Sequence, residues 1–374
     1  MSTVQLKALT PIHIGSGSFL QQGSDFIVNN ESDGTYLYVI DDNKVFNLIG
    51  EDNIGKWVQC IERQQDTADF IRTIRKGVKP VSFSKRNIYS FESKIPKGMT
   101  LKETLHDGLG TPYIPGSSIK GAIRTAILAE MAKSVPDLSE LFNHMEARAI
   151  DSKMEKQIFG DSPYTDILRF LQVGDAYFNK DCEIALMMAN LNIRTRNSIW
   201  DNSKKQLIEA IGTDESTKLN INIDKKRAEL SNCGFAFHKI DSIQKLFRVI
   251  NNHTKKLLKE ECKIWNNQLE TINSNMSYNA EDEEYISDYI QKIEGLNKQI
   301  TESENPTNCI LRIGHASGWR FITGAWGEKL SCFENVIIPA SRPNNQRYSE
   351  YIFPKTRRVS TCMDLLGFVE ISIS

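Results

Sequence analysis

The segment Pro112-Tyr113-Ile114-Pro115-Gly116-Ser117-Ser118-Ile119-Lys120-Gly121-Ala122-Ile123-Arg124 has the composition of a phosphate-holding turn that runs into a helix. Pro112 and Pro115 fix φ, Gly116 lets the chain turn, and a serine hydroxyl is placed to cap the helix. A helix start offers unpaired N–H groups and partial positive charge to an anion. Ile119, Ala122, Ile123, Ala126, Ile127 and Met131 recur at helical spacing and belong to a core-facing stripe. Lys120 and Arg124, about 6 Å apart along the helix axis, then share another face, across which a polyanion backbone could lie. The bland alternative is a capped core helix with two solvated cations.

Two further segments have related character. Leu9-Thr10-Pro11-Ile12-His13-Ile14-Gly15-Ser16-Gly17 reads as an apolar strand ending in a histidine and a Gly/Ser loop. Gly314-His315-Ala316-Ser317-Gly318-Trp319 is a second glycine turn, with Arg312 and Arg320 beside it to supply charge and glycines to let backbone approach a ligand. His13 also invites an acid–base reading, which requires a second group across the scissile phosphate, such as Lys120 or a tyrosine. Asp25 and Asp107 are the carboxylates nearest to such loops. Asp25 directly precedes Phe26-Ile27-Val28 and Asp107 sits in His106-Asp107-Gly108, so both read as turn or cap residues, and one carboxylate alone does not make a metal site. No GxxxxGK[ST] phosphate loop and no Gly-x-Ser-x-Gly elbow occurs. No cofactor and no metal is expected.

Thr10 to Gly17, Tyr113 to Arg124 and Gly314 to Trp319, in this order and at these spacings, resemble the RAMP proteins of CRISPR effector complexes. Within that family the resemblance is greatest to the subunit that caps the backbone filament of type III-A complexes at the 3′ part of the crRNA. It extends over nearly the whole chain and includes the closing Gly367-Phe368-Val369-Glu370-Ile371, while little is recognisable between about 200 and 305. The resemblance implies an α+β protein of two ferredoxin-like, RRM-type domains, residues 1–180 and a degenerate 181–374 with a helical insertion at about 243–302. It implies a non-enzymatic role in RNA binding, with 3′-end maturation performed by other nucleases. Carried over by motif, the RNA-contacting residues are His13, Gly15, Ser16, Gly17, Gly116, Ser117, Ser118, Lys120 and Arg124, together with Arg312, His315 and Ser317 around the later turn. The implied partners are crRNA, target RNA, the adjacent backbone RAMP subunit, the small helical subunit of the complex and host nucleases for 3′ trimming. A related branch cleaves crRNA precursors without metal through an N-terminal histidine; His13 would take that role, but the branch carries its glycine-rich loop nearer the C-terminus than Gly314. A protein–protein adaptor that touches RNA incidentally is a third reading.

Composition bounds these readings. The 374 residues carry 46 Lys plus Arg against 47 Asp plus Glu, a formal charge of −1, so bulk charge cannot hold a nucleic acid and local clusters must do so. Lys85-Arg86, Lys94 with Lys97, Lys120 with Arg124, Arg194 with Arg196, Arg342 with Arg347, and Lys355 with Arg357-Arg358 are such clusters. Seven cysteines lack zinc spacing and read as reduced, mostly buried thiols. With no leader-like start and no apolar run of membrane length, a cytoplasmic location away from membranes is expected.

The elements that would position these residues follow from hydrophobic period. Strands are expected at Val4 to Ile14, Asp25 to Val28, Thr35 to Asp41, Val81 to Ser93, Leu171 to Ala176, Ile184 to Thr195, Leu219 to Ile223, Gly234 to Ile240, Cys309 to Ile313 and Leu366 to Ile373. Helices are expected across Ile54 to Arg75 with a break near Gln65, across Ser118 to Ser134, and from Asp137 to Phe159 in two pieces. Ile243 to Asn273 and Ala280 to Thr301 read as an antiparallel helical pair, joined by a stripe of Leu258, Cys262, Trp265, Leu269 and Ile272 against one of Ile286, Tyr289, Ile290, Ile293, Leu296 and Ile300. The pair serves either as a lid on the second sheet or as a docking surface for another subunit.

Overall fold

The computed structural model describes residues 2–134, 147–192, 199–231, 235–273, 280–322, 325–329 and 354–373. In chain order, β1 (Ser2–Ala8), β2 (Gly15–Gln21), β3 (Phe26–Asn30) and β4 (Thr35–Ile40) lead into three short helices, α1 (Asp42–Ile49), α2 (Ile54–Glu62) and α3 (Thr67–Ile74). Then come β5 (Ser84–Ser90), β6 (Thr100–Thr104), β7 (Tyr113–Ile114), α4 (Gly116–Met131) and α5 (Ala147–Phe159). β8 (Leu171–Val173), β9 (Ala176–Tyr177), β10 (Glu183–Asn192), β11 (Trp200–Ile211) and β12 (Ser216–Ile223) follow. The last part holds α6 (Lys225–Leu230), α7 (Phe235–His238), α8 (Ile243–Asn273), α9 (Ala280–Gln299), β13 (Asn308–Arg312), β14 (Thr356–Ser360) and β15 (Phe368–Ile373).

β1 buries Val4, Leu6 and Ala8 and turns Thr3, Gln5 and Lys7 outward, the two-residue period of a strand with one covered face. It is the middle strand of an antiparallel sheet ordered β13-β15-β1-β12-β8. The apolar stripe of α4 packs over this sheet, so that Ile119, Ile123, Ala126 and Ile127 share a core with Leu6, Leu219 and Ile371. A second, mixed sheet is ordered β2-β6-β11-β10-β5-β4-β3, with β14 also paired to β10. Helices α1 to α3 cover one end of it through Trp57, Ile71, Tyr38 and Phe83.

Helices α8 and α9 pack along the expected stripes: Leu258, Trp265, Ile272, Ile286, Tyr289, Ile293 and Leu296 form one buried cluster with Ile310, Val359 and Phe368 of the sheets. The pair therefore lies on the sheets as a lid. α8 also shields the free edge of β13. Asn251 Nδ2 donates to the Asn308 carbonyl at 3.0 Å, Ile310 N–H donates to Asn251 Oδ1 at 3.0 Å, and the Thr254 hydroxyl donates to the Ile310 carbonyl at 2.7 Å. An edge satisfied by side chains cannot pair with another strand.

The α+β class expected from the sequence is observed, with several local differences. The first sheet takes β1 and β8 from before residue 180 and β12, β13 and β15 from after it, so a cut at 180/181 does not separate the sheets. Gly15-Ser16-Gly17, expected as a loop, opens the edge strand β2, with an irregularity between Gly15, which pairs with Thr104, and Phe19 that leaves Ser16, Gly17 and Ser18 outside regular pairing. Residues 235–238 form the short helix α7 where a strand was expected. The first part of the expected 137–150 helix, Arg194 with Arg196, and Arg342 with Arg347 lie outside the described residues. Cys60, Cys182 and Cys309 are buried free thiols, and Cys362 is exposed. No helix among the described residues is long and apolar enough to cross a membrane.

Candidate nucleic-acid interface

Three segments distant in sequence meet at one open pocket of about 350 Å³, joined there by β6. His13, Gly15 and Gly17 come from the N-terminal crossover, Lys102 and Glu103 from β6, Ser118 from the first turn of α4, and Gly314 with His315 from the turn after β13. The crossover is fixed by backbone bonds: Leu9 N–H to Phe368 O at 2.9 Å, a reciprocal pair between Ile12 and Ile211 at 3.0 and 2.8 Å, and Leu105 N–H to Ile14 O at 2.8 Å. The later turn is stitched to it by His315 N–H, which donates to the His13 carbonyl at 3.1 Å. Gly314 has φ +85° and a Cβ there would lie 2.6 Å from the His13 carbonyl oxygen, so only glycine permits this contact. The His13 and His315 rings meet edge to face, with centroids 5.8 Å apart.

His13 is buried and its Nδ1 lies 2.7 Å from the Glu209 carbonyl oxygen. Burial pushes its pKa below the usual value, against the carbonyl bond. His315 is pushed down to about 4 by burial and by the charges of Arg358 and Lys102. Its Nε2 faces Arg358 Nη1 at 3.0 Å and Lys102 Nζ at 3.5 Å. The His315 carbonyl accepts a second bond from Arg358 Nη1 at 3.0 Å. Among the described residues neither Lys102 nor Arg358 is paired with a carboxylate, which leaves two cations gathered around a neutral imidazole at the pocket edge. That arrangement suits an anion. Lys102 also lies over the exposed ring of Phe19, 5.7 Å from its centroid. Ser16 donates to the Glu103 carbonyl at 3.3 Å, and its hydroxyl accepts from Ser18 N–H at 3.1 Å.

Beneath the pocket lies a buried ion network. Arg86 donates to Glu103 at 3.0 Å and to both carboxylate oxygens of Glu209 at 3.0 and 3.1 Å, while His106 bonds Glu183. Burial raises the Glu209 carboxyl to about 7 despite Arg86 beside it. Glu103, His106 and Glu209 each bring one ligand-type atom within 4.8 Å of the others. The Arg86 guanidinium already occupies the position a cation would take between the carboxylates, so the cluster reads as an internal ion pair.

Several residues expected to contact RNA are engaged by partners within the chain. Arg124 pairs with Glu155 at 3.0 Å and Asp166 at 2.8 Å and stacks on Phe159, so it is not a free cation. Arg312 is buried, donates to the carbonyls of Leu366 and Ala316 at 3.0 and 3.1 Å, and lies on the rings of Phe321 and Phe368. Ser317 is buried and closes its own turn on the Gly314 carbonyl at 2.7 Å. Neither serine caps α4. The Pro115 carbonyl takes the N–H groups of Ser118 and Ile119, and Asp175 takes Gly116 N–H at 2.7 Å, so three of the first amides are already used. Gly116 itself is buried, with a Cβ at that position 2.1 Å from the Val173 carbonyl. Ser117 is exposed and Lys120 half-buried; Lys120 has no ion pair among the described residues but does not line the pocket.

Arg320 is held by Glu328 and Glu261, and Arg86 lies within the network above, so neither acts as a surface cation. Asp25 accepts from Gln21 N–H, and Asp107 accepts from Leu109 and Thr111 N–H, both inside turns. Tyr113 stacks on Tyr177 with centroids 5.2 Å apart, and Trp319 packs against the main core. The pocket residues not singled out from the sequence include Lys102, Phe19, Ser18 and Glu103. Arg358 belonged to a basic cluster already noted, and only strand alternation on β14, Arg357 buried and Arg358 outward, distinguishes it.

The family model of the RAMP superfamily matches residues 5–321. The chain is 28% identical over 236 residues to the Csm5 protein of Methanocaldococcus jannaschii, covering 60% of this chain and 52% of that protein. It is 29% identical over 148 residues to Csm5 of Enterococcus italicus, covering 33% of this chain and 42% of that protein. In these matches the chain spans about half the length, or less, of the curated relatives. Among solved structures it is similar in fold to a chain of the Csm–crRNA–target RNA ternary complex of a type III-A CRISPR-Cas system, with a TM-score of 0.69, 19% identity and full coverage of both chains. It is likewise similar to T. onnurineus Csm5, with a TM-score of 0.57, 19% identity and coverage of 98% of this chain and 99% of that one.

Proposed function

The chain belongs to the RAMP superfamily, and we propose that it is a non-catalytic crRNA-binding subunit of a type III-A Csm complex. It would cap the backbone filament at the crRNA 3′ end and support 3′-end maturation and assembly. Its partners in this reading are crRNA, the adjacent backbone RAMP subunit and the small helical subunit, with target RNA passing nearby and host nucleases performing the trimming. The observation that carries the reading is the convergence of the Gly15-Ser16-Gly17 backbone, Ser118 and the His315 turn on one open pocket that Lys102 lines, with Arg358 bonded to His315 next to it. Backbone, hydroxyl and cationic contacts of this kind hold sugar and phosphate without reading bases, as a guide with a changing spacer requires.

The geometry also bears on cleavage. Acid–base scission needs a protonated donor opposite the base. Burial holds His13 below the ordinary imidazole value and His315 down at about 4, which disfavours the protonated imidazole that such a donor would be. Incubation of the purified chain with labelled precursor crRNA in EDTA is therefore expected to leave the RNA intact while showing salt-sensitive binding. Discrete cleavage that disappears in His13→Ala would favour the endoribonuclease reading, and absence of salt-sensitive binding would favour the adaptor.

A further inference from the structure

The fold fixes the tautomer of His13. A backbone carbonyl can only accept, so the 2.7 Å contact to Glu209 O places the ring proton on Nδ1 and leaves Nε2 as a bare acceptor. The side chain is 5% exposed, and among the described residues no donor bonds Nε2. Gly15 keeps that atom uncovered: a Cβ at position 15 would lie 3.3 Å from His13 Nε2. Both residues line the same pocket as Lys102 and Ser118. A neutral acceptor in a pocket lined by Lys102, with Arg358 one ring away on His315, is an unusual pairing, because a phosphate oxygen would satisfy the cations but not the acceptor. The acceptor needs a hydroxyl or N–H donor next to the anion. In a nucleic acid backbone the group with that relation to phosphate is the ribose 2′-hydroxyl, which DNA lacks.

We propose that His13 is a ribose reader: its Nε2 accepts a hydrogen bond from the 2′-hydroxyl of one guide nucleotide whose phosphate faces Lys102 and Arg358. This rests on the RNA-binding reading above and adds to it the chemical class that the pocket selects, ribonucleotide over deoxyribonucleotide. The His13 ring is a positioning and specificity group here, and no bond is broken.

The test is a binding titration of the full chain with a synthetic guide-length RNA and a set of RNAs carrying one 2′-deoxy or 2′-fluoro substitution each. Both replacements remove the hydroxyl proton. One position is expected at which either replacement weakens binding about 5- to 10-fold, the effect of one hydrogen bond. In Gly15→Ala, which covers Nε2 in an ordinary backbone conformation, and in His13→Phe, which removes it, substituted and unsubstituted RNA should bind alike. Should His13→Phe fail to fold, Gly15→Ala carries the same comparison. Tight RNA binding with no position sensitive to hydroxyl removal, or a sensitivity that persists in Gly15→Ala, overturns the reader role and leaves RNA binding standing. Absence of RNA binding overturns both.

Discussion

Glu261→Ala is expected to cost about 3–5 kcal/mol of folding stability, the usual penalty for breaking a buried ion pair from one side. Glu261 is buried on α8, where one carboxylate oxygen accepts from Trp265 Nε1 at 2.8 Å, from the Tyr289 hydroxyl at 3.0 Å and from Arg357 Nε. The other accepts from Arg357 Nη2 at 2.8 Å and more loosely from Arg320. Removing the carboxylate leaves the Arg357 guanidinium buried without a counter-charge. Burial opposes ionisation, but the arginines outweigh it and hold the Glu261 carboxyl at about 2. Against an unfolded value near 4.3, a depression of that size corresponds to roughly 3 kcal/mol. The sign follows: the contribution is present above about pH 4.3 and is lost as pH falls toward 2, because the unfolded chain takes up the proton first. Urea unfolding of the wild type and of Glu261→Ala at pH 7 and through this acid range checks both points. A loss under 1 kcal/mol, or an acid dependence unchanged in Glu261→Ala, would contradict the assignment. The variant also reaches the pocket, since Arg357 anchors β14 and the next residue, Arg358, faces His315.

Lys102→Ala combined with Arg358→Ala is expected to weaken RNA binding by about 10- to 100-fold at moderate salt, since hydrogen bonds to charged groups contribute about 1.5–3 kcal/mol each before exposure reduces them. Loss of two phosphate contacts should also lower the slope of log affinity against log salt by about 1.4 for a single strand. Both cations are only partly buried, so their removal should leave unfolding nearly unchanged. Arg124→Ala should behave in the opposite way, lowering stability through Glu155 and Asp166 with little specific effect on RNA. Salt titrations monitored by fluorescence anisotropy separate the two. Unchanged affinity and slope in the double variant would remove the pocket from the RNA path.

Much of the fold was legible because it is written in local period. The alternation of β1, the stripes of α4 and the matched faces of α8 and α9 each follow from side chains a few residues apart. What was missed depends on pairing across the chain. Gly15-Ser16-Gly17 reads as a loop because glycine and serine have little strand preference, and only the register of Gly15 to Gln21 with β6 makes this stretch an edge strand. β11, from Trp200 to Ile211, carries polar and charged residues over much of its length and becomes a strand through its partners β10 and β6. The site divided in the same way. The three glycine turns were visible as motifs, and their meeting at His13 and His315 was not. Helical spacing placed Lys120 and Arg124 together, but it could not show that Asp166 and Glu155, 31 to 42 residues later, would claim Arg124. Lys102 carried no local signal, since a lysine on a short strand is ordinary until Arg358 and His315 are folded beside it.

The most direct measurement is a structure of the assembled complex with its guide RNA. The expected result is a guide nucleotide in the pocket, its sugar against His13 and Gly15 and its phosphate between Lys102, Arg358 and the Ser118 end of α4. Guide RNA running elsewhere, with this pocket sealed by a neighbouring subunit, would contradict the account.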